Sequence, residues 1–356
     1  MRAKGEWLKA KGLRESLSLL RSSPFRFLPF AISLFCFLCL SFSESFAQSY
    51  IRVLLVDGKF ARIPQKDEKV ERVGSSAGEV ILNGMKYQGN IEVWRSDKGL
   101  YVINEVGLED YVKGVVAAEE GSQWDIEALK AQAVAARTYA LHQRSGNGTA
   151  GMPFDLTSSV LHQAYRGNNI PARIAKAVDD TKGQVLMYNG RPIVAYYHST
   201  SGGMTEDPAE VFGKHYPYLK PVETNCELSP FYMWEKRITA ADIEKAMNVS
   251  GLKDVVIDSY TVSNRVKAFR LVTETGEVEI PGMIFRKNIG WDQLPSTMIT
   301  SLDRDGNVYV FEGKGYGHGV GMCQWSALGM AKEGKDYREI LSFFYPGTTI
   351  EVYEDR

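Results

Sequence analysis

The segment from Ile126 to Leu141, "IEALKAQAVAARTYAL", has alanine at 128, 131, 133, 135, 136 and 140. Alanine is the strongest helix former, and here apolar residues recur on every face of the turn. A helix of this kind cannot lie on a surface. It has to be wrapped on most sides, and its short side chains let the neighbours come close. Asp125 is placed to cap its N-terminus, with Glu127 in the first turn, where the helix dipole favours an anion. Lys130 and Arg137, seven residues apart, share one face, which is either a solvated edge or a cationic strip along a cleft. With 356 residues, 44% of them hydrophobic, the chain has material for two or three packed units around this helix.

The first 47 residues stand apart from that globule. Their seven basic residues (Arg2, Lys4, Lys9, Lys11, Arg14, Arg21, Arg26) against Glu6, Glu15 and Glu44 give a charge of +4. The apolar run "FLPFAISLFCFLCL", Phe27 to Leu40, comes next, followed by small residues at Ser45 and Ala47. A basic head, a 14-residue apolar run and a small-x-small site make an export signal cut after Ala47. The run is short for a membrane span, and the long head keeps an uncleaved anchor as the alternative. The whole chain carries −1, which leaves the remainder near −5 and without basic clusters. That charge excludes nucleic acid as a partner of the usual electrostatic kind. Cys36 and Cys39 lie in the leader. Cys226 and Cys323 are read as free buried thiols, with pairing in an oxidising compartment left open.

Residues 50–105 alternate apolar and polar positions with Gly and Asp-Gly punctuation, a β-rich pattern. Helical period takes over at 107–142. Residues 182–198 predict a hairpin turning at Asn189-Gly190. A helix begins at Thr239, with Asp242 three residues on, and another runs from Asp336 to Pro346. Strand runs and helical pairs that do not alternate point to an α+β fold. The expected layout is a leader (1–47), a β-rich subdomain (48–105), and a region at 106–356 with a helical segment, a mixed α/β remainder and a β-rich insertion at about 220–305.

Glu119 and Glu120 sit side by side in "VVAAEEG". On a helix, Leu108, Tyr111, Val112, Val115 and Val116 form one stripe; Glu119 lies about 20° from its middle and Glu120 roughly 120° away. Continued helix would therefore turn Glu119 inward and Glu120 to water, whereas a helix ending at Ala118 would leave both as loop residues. A carboxyl against apolar walls has its pKa raised, as a general acid at neutral pH requires. "AYYHSTSGG" places His198, Ser199 and Ser201 just beyond a strand, without the G-x-S-x-G elbow of a serine hydrolase. "GKGYGHGVG" spaces glycines at every second position from 313 to 321 around His318, which suits backbone passing close to a ligand or another strand. H-E-x-x-H does not occur, and the C-x-x-C spacing occurs only at Cys36 and Cys39, inside the leader.

The segments "VGLEDYVKGVVAAEE…EALKAQAVAARTYA", "AYYHSTSGGMTED" and "GKGYGHGVGMCQWSALGMAKEG" resemble, in order, the stage II sporulation protein D and amidase enhancer family. "MKYQGNIEVW" upstream and "RKNIGWDQLPSTMIT" downstream extend the resemblance across nearly the whole chain after the leader. It implies a single cleft and a lytic transglycosylase acting on peptidoglycan, which cleaves between N-acetylmuramic acid and N-acetylglucosamine of peptide-stripped strands. By register the family's catalytic glutamate falls on Glu119. The resemblance further implies that Lys130, Arg137, Tyr197, His198, Ser199, Ser201, His318 and Gln324 bind substrate. It implies glycan strands as the partner, no cofactor, and, as the alternative role, a non-catalytic glycan-binding enhancer of a cell-wall amidase. Zinc-binding members read roughly D-x-C-x-x-x-H-C-Q-x-Y where this chain has "DLTSSVLHQAYRG". Thr157 and Leu161 stand at two ligand positions and His162 at the second cysteine, so no metal is expected.

Overall fold

The structure is a computed structural model describing residues 49–56, 63–65, 68–147, 151–159 and 162–355. The expected export segment at 1–47 and the residue at Leu161 lie outside the described residues. Among the described residues, no helix is long and apolar enough to cross a membrane.

The β-rich start forms β1 (Tyr50–Leu54), β2 (Glu71–Ala77), β3 (Val80–Leu82), β4 (Met85–Tyr87), β5 (Asn90–Ser96) and β6 (Gly99–Gly107). β3 and β4 are a hairpin turning at Asn83-Gly84. The others join a five-stranded sheet in the order β2-β5-β6-β1, completed by β7 (Leu156–Thr157). β1 runs antiparallel to β6 and parallel to β7, with Val53 opposite Leu156. That parallel pairing brings in the loop that follows β7.

Helix α1 (Leu108–Glu119) leaves β6 without a loop, and the expected stripe Leu108, Tyr111, Val112, Val115 and Val116 is its buried face. Helix α2 (Ile126–His142) is the alanine-rich segment, capped by Asp125, whose carboxylate accepts from the Glu127 N–H. Thirteen of its residues are buried, as the all-round apolar pattern demanded. One face (Leu129, Ala133, Ala136, Ala140) packs with α1 and the first sheet, and the other (Ala131, Val134, Ala135, Tyr139) packs with the C-terminal elements. The two main cores therefore meet across this helix.

Helix α3 (Ala172–Asp180) covers α1 and α2. The hairpin of β8 (Gln184–Tyr188) and β9 (Arg191–Pro192) turns at Asn189-Gly190, both at positive φ. Its second strand is much shorter than residues 182–198 led us to expect. The chain instead forms a separate strand, β10 (Tyr197–His198). After α4 (Pro208–Phe212) come β11 (Met233–Thr239), α5 (Ala240–Met247), β12 (Leu252–Tyr260), β13 (Val266–Thr273), β14 (Gly276–Pro281), α6 (Gly282–Ile289), β15 (Ile299–Asp305) and β16 (Val308–Lys314). These make two three-stranded sheets around a third core in which Phe285 meets Phe269 at 4.2 Å and Phe311 at 6.1 Å. Thr239 caps α5 as expected.

The chain ends with β17 (Met322–Cys323), α7 (Gln324–Lys332), α8 (Tyr337–Phe344) and β18 (Thr349–Val352). Asp336 and Glu339 complete a full capping box on α8. β18 pairs with β8, and β17 lies parallel to β10. Most strand pairs are antiparallel and no regular β-α-β repeat runs along the chain, so the fold is α+β.

Candidate functional site

Glu119 is the last residue of α1. Its half-buried carboxyl sits where the negative end of the helix dipole disfavours an anion. The Ala164 N–H donates to Oε1 at 2.9 Å, and the Gln324 amide reaches Oε2 at 3.4 Å. Burial lifts the pKa of Glu119 above the ordinary carboxylate value. The two donors and the Arg166 charge oppose that rise without cancelling it. Three separated segments meet here: the end of α1, the loop after β7 and the start of α7. Gly114 permits the approach of the middle one, since a Cβ there would lie 2.5 Å from the Tyr165 ring and 2.7 Å from the Gly167 carbonyl oxygen.

Glu120 departs from expectation. It is 7% exposed rather than solvated, and among the described residues neither of its carboxyl oxygens has a hydrogen-bond partner. The helical projection failed because the helix stops one residue too soon. Glu120 is the C-cap, at φ −121° and ψ 154°, and extended backbone swings its side chain off the helical angle. Burial raises its pKa well above the usual range, and the neighbouring Glu119 raises it further. The unfolded chain therefore ionises at lower pH than the folded one. Stability is fully present below the unfolded pKa and falls as pH rises through the window up to the folded pKa, at up to about 1.4 kcal/mol per unit. Glu120→Gln removes that ionisation. Its melting temperature should match wild type near pH 4 and exceed it increasingly toward pH 8. Parallel melting curves at all pH values would show that Glu120 ionises freely in the fold.

Around Glu119, Gln163 is a fully engaged hub. Its amide donates to the Ala136 carbonyl at 3.2 Å and the Tyr197 hydroxyl at 3.0 Å, and its oxygen accepts from Tyr111 at 3.0 Å. Burial, and then the charge of Glu119, hold the Tyr197 phenol well above its usual pKa. Trp124 and Trp325 meet edge to face at 5.0 Å, next to Gly121 on one side and Gln324 on the other.

The parallel register of β10 on β17 sets Tyr197 opposite Met322 and His198 opposite Cys323. Alternation along a strand sends Tyr197 toward Gln163 and Glu119, and sends Tyr196 and His198 the other way. There His198 and His318 lie 5.5 Å apart, with Tyr196 at 5.9 Å from His318. His198 Nδ1 bonds the Val320 carbonyl, and His318 Nδ1 accepts from the Val320 N–H. Burial, with Arg286 and Arg265 nearby, drops His318 to about 3; burial and His318 push His198 well down as well. Both rings are neutral at physiological pH. Gly317 (φ 112°) allows the approach, since a Cβ there would lie 2.9 Å from that of His198.

Lys130 and Arg137 do not reach toward Glu119. Lys130 is held by Glu127 at 2.8 Å and Asp180 at 3.6 Å. Arg137, 0% exposed, forks onto both oxygens of Glu109 at 2.9 and 2.7 Å and donates to the Gln184 carbonyl at 3.0 Å. Neither a solvated edge nor a cleft strip describes it; it is a buried tie between α1 and α2. The Ser199 hydroxyl bonds Thr200, and the Ser201 hydroxyl bonds Thr224 and Cys226. Among the described residues no hydrogen bond links either serine to a histidine. The structure thus gathers Glu119, Tyr197 and Gln324 and groups the two histidines behind them.

The residues of the zinc loop do not fit a metal. His162 spends Nδ1 on the Thr157 N–H and hydroxyl, and among the described residues no three His, Cys, Asp or Glu converge. Hydrogen bonds hold the loop instead, with Tyr165 donating to Asn104 at 2.9 Å. Sequence reasoning missed Ala164, which acts through a backbone N–H that any residue carries, and Glu109, whose partner is 28 positions away.

A family described as stage II sporulation protein matches residues 96–188, and a domain of unknown function matches 218–321. The chain is 35% identical to an uncharacterised protein of Brachyspira hyodysenteriae, over 76% of this chain and 74% of that protein. It is 32% identical to the amidase enhancer of Bacillus subtilis over 78% of this chain, spanning 46% of that longer protein. With the stage II sporulation protein D of Bacillus subtilis it shares 32% identity over 70% of this chain and 75% of that protein. On that extent of similarity, the chain belongs to the stage II sporulation protein D family.

Proposed function

We propose that the protein is a peptidoglycan lytic transglycosylase with Glu119 as its single acid and base. The observation that carries this reading is the carboxyl of Glu119, desolvated at a helix end and held by the Ala164 N–H and Gln324. A raised pKa favours the protonated form, which can give its proton to a glycosidic oxygen. The C1–O bond then breaks through an oxocarbenium-like state. The resulting carboxylate takes the proton of the muramic 6-hydroxyl, whose oxygen attacks C1 and closes a 1,6-anhydro ring. The proton lost in the first step is regained in the second. The half-buried Trp124–Trp325 pair, whose Trp325 follows Gln324 in the chain, offers aromatic surface for a sugar ring.

Peptide-stripped glycan incubated with the protein should yield anhydro-muramic ends by mass spectrometry. Reducing ends alone would point to hydrolysis by water and sink the transglycosylase reading. The similarity to an amidase enhancer supports a second reading, a glycan-binding protein that stimulates a cell-wall amidase. That reading predicts amidase stimulation that survives Glu119→Gln. Export belongs to the same proposal, and N-terminal sequencing of the exported form should begin at Gln48.

A further inference from the structure

The two cysteines that follow the leader, 97 positions apart in the chain, meet at the Ser201–Gly202 segment, which hydrogen-bonds both sulfurs. Both are free and buried. Three donors converge on them: the Ser201 N–H reaches the Cys323 sulfur at 3.2 Å, while the Gly202 N–H and the Ser201 hydroxyl reach the Cys226 sulfur at 3.3 Å each. The thiols also hydrogen-bond each other. Cys323 keeps the single shared proton, which it can direct either at the Cys226 sulfur or at the Ser199 carbonyl, 3.6 Å away. Beside the pair lies Arg265, 1% exposed, which donates to the Ser201 carbonyl at 2.5 Å. Among the described residues its Nε and Nη1 have no hydrogen-bond partner.

A guanidinium with spare N–H groups in the interior needs an anion nearby. The Glu206 carboxylate acts on it, as do the two sulfurs. Glu206 already accepts from Thr261 at 2.6 Å, Ser263 at 2.7 Å and the Asp207 N–H at 2.7 Å. A thiolate at Cys226 would supply further counter-charge to this guanidinium. The hydrogen bond from Cys323, then those from Ser201 and the Gly202 and Gly203 N–H groups, draw the Cys226 thiol down to about 6, while burial pushes Cys323 far up. One sulfur is prepared to attack and the other to resolve, the asymmetry that thiol–disulfide exchange uses.

We propose that Cys226 and Cys323 are a disulfide-forming pair, closed by exchange with a small-molecule or protein disulfide as the chain folds. The Cys226 thiolate attacks one sulfur of the incoming disulfide, forming a mixed disulfide and expelling one thiolate. Cys323 then gives up its proton and attacks the Cys226 sulfur, expelling the second thiolate. Two protein thiols are oxidised and one disulfide is reduced to two thiols. The bond closes a loop of nearly a hundred residues and fixes β17, whose next residue is the Gln324 that bonds Glu119. The chemistry of the pair does not depend on how the Glu119 site is read.

The test refolds the full chain in a buffer of reduced and oxidised glutathione, blocks free thiols with an alkylating agent, and digests with trypsin. Cys226 falls on peptide 215–236 and Cys323 on peptide 315–332, while Cys36 and Cys39 fall on 27–52. The expected result is the 215–236 and 315–332 pair joined as the main species, with a melting temperature that drops by at least roughly 5 °C on reduction. Cys226→Ala should abolish both signals. Full alkylation of Cys226 and Cys323 across all glutathione ratios would overturn the proposal. So would glutathione trapped on Cys226 with Cys323 free, since that shows Cys323 does not resolve.

Discussion

Glu119→Gln should lower turnover of peptide-stripped glycan by about 10²–10⁴-fold, the usual cost of removing general acid–base catalysis. The substitution keeps the shape of the side chain, and its amide oxygen can still accept from the Ala164 N–H, 2.9 Å from Oε1 in the native site. What disappears is the proton to give and the carboxylate to take it back. Folding should survive, because the replaced carboxyl is one that burial already holds toward its neutral form. Glycan binding should survive for the same reason, so the loss should appear in kcat rather than KM. On the proposed mechanism, wild-type kcat/KM should fall as pH rises through the Glu119 pKa, since the acid must be protonated to start the reaction. Glu120 lies next in the chain, but its buried carboxyl makes no hydrogen bond among the described residues and is not expected to rescue the variant. An active Glu119→Gln enzyme would remove Glu119 from catalysis.

Arg137→Ala should be the most destabilising single change at the α1–α2 junction, by about 3–5 kcal/mol. The guanidinium is wholly buried and serves both Glu109 oxygens together with the Gln184 carbonyl. Its removal strands a carboxylate whose side chain is only 22% exposed, and empties a volume the size of an arginine between helices. The double substitution Glu109→Gln with Arg137→Met should recover part of the loss, because no unpaired charge remains and the volume is refilled. Chemical denaturation of the single and double variants measures this directly. If Arg137→Ala melts like wild type and instead raises KM, Arg137 is a substrate ligand rather than a tie.

The two glutamates show how far residue spacing carries. Periodicity orients Glu119 only if the helix continues past Ala118, and it does, with Glu119 as its last residue. One position later the backbone becomes extended, and the same arithmetic put Glu120 in water when it is buried. Likewise the apolar pattern of α2 showed that its charged residues were exceptional, yet it could not say what faces them. Glu109 and Arg137 lie on different helices, and only packing brings them together.

Local chemistry written in consecutive residues was legible from the chain alone. The Asp125 cap, the Asn189-Gly190 turn, the buried stripe of α1 and the need to wrap α2 on all sides depend on interactions within a few residues of each other. The site depends on meetings across long separations. Glu119 finds Ala164 and Gln324, Tyr197 turns toward Glu119 while His198 turns away, and Cys226 meets Cys323 at the Ser201–Gly202 segment that bonds both sulfurs. Sequence determines which groups are available and how each short segment curves. Which of them share a desolvated volume is decided by the closure of sheets and helices around α2, where hydrogen-bond register and packing, rather than spacing along the chain, set the neighbours.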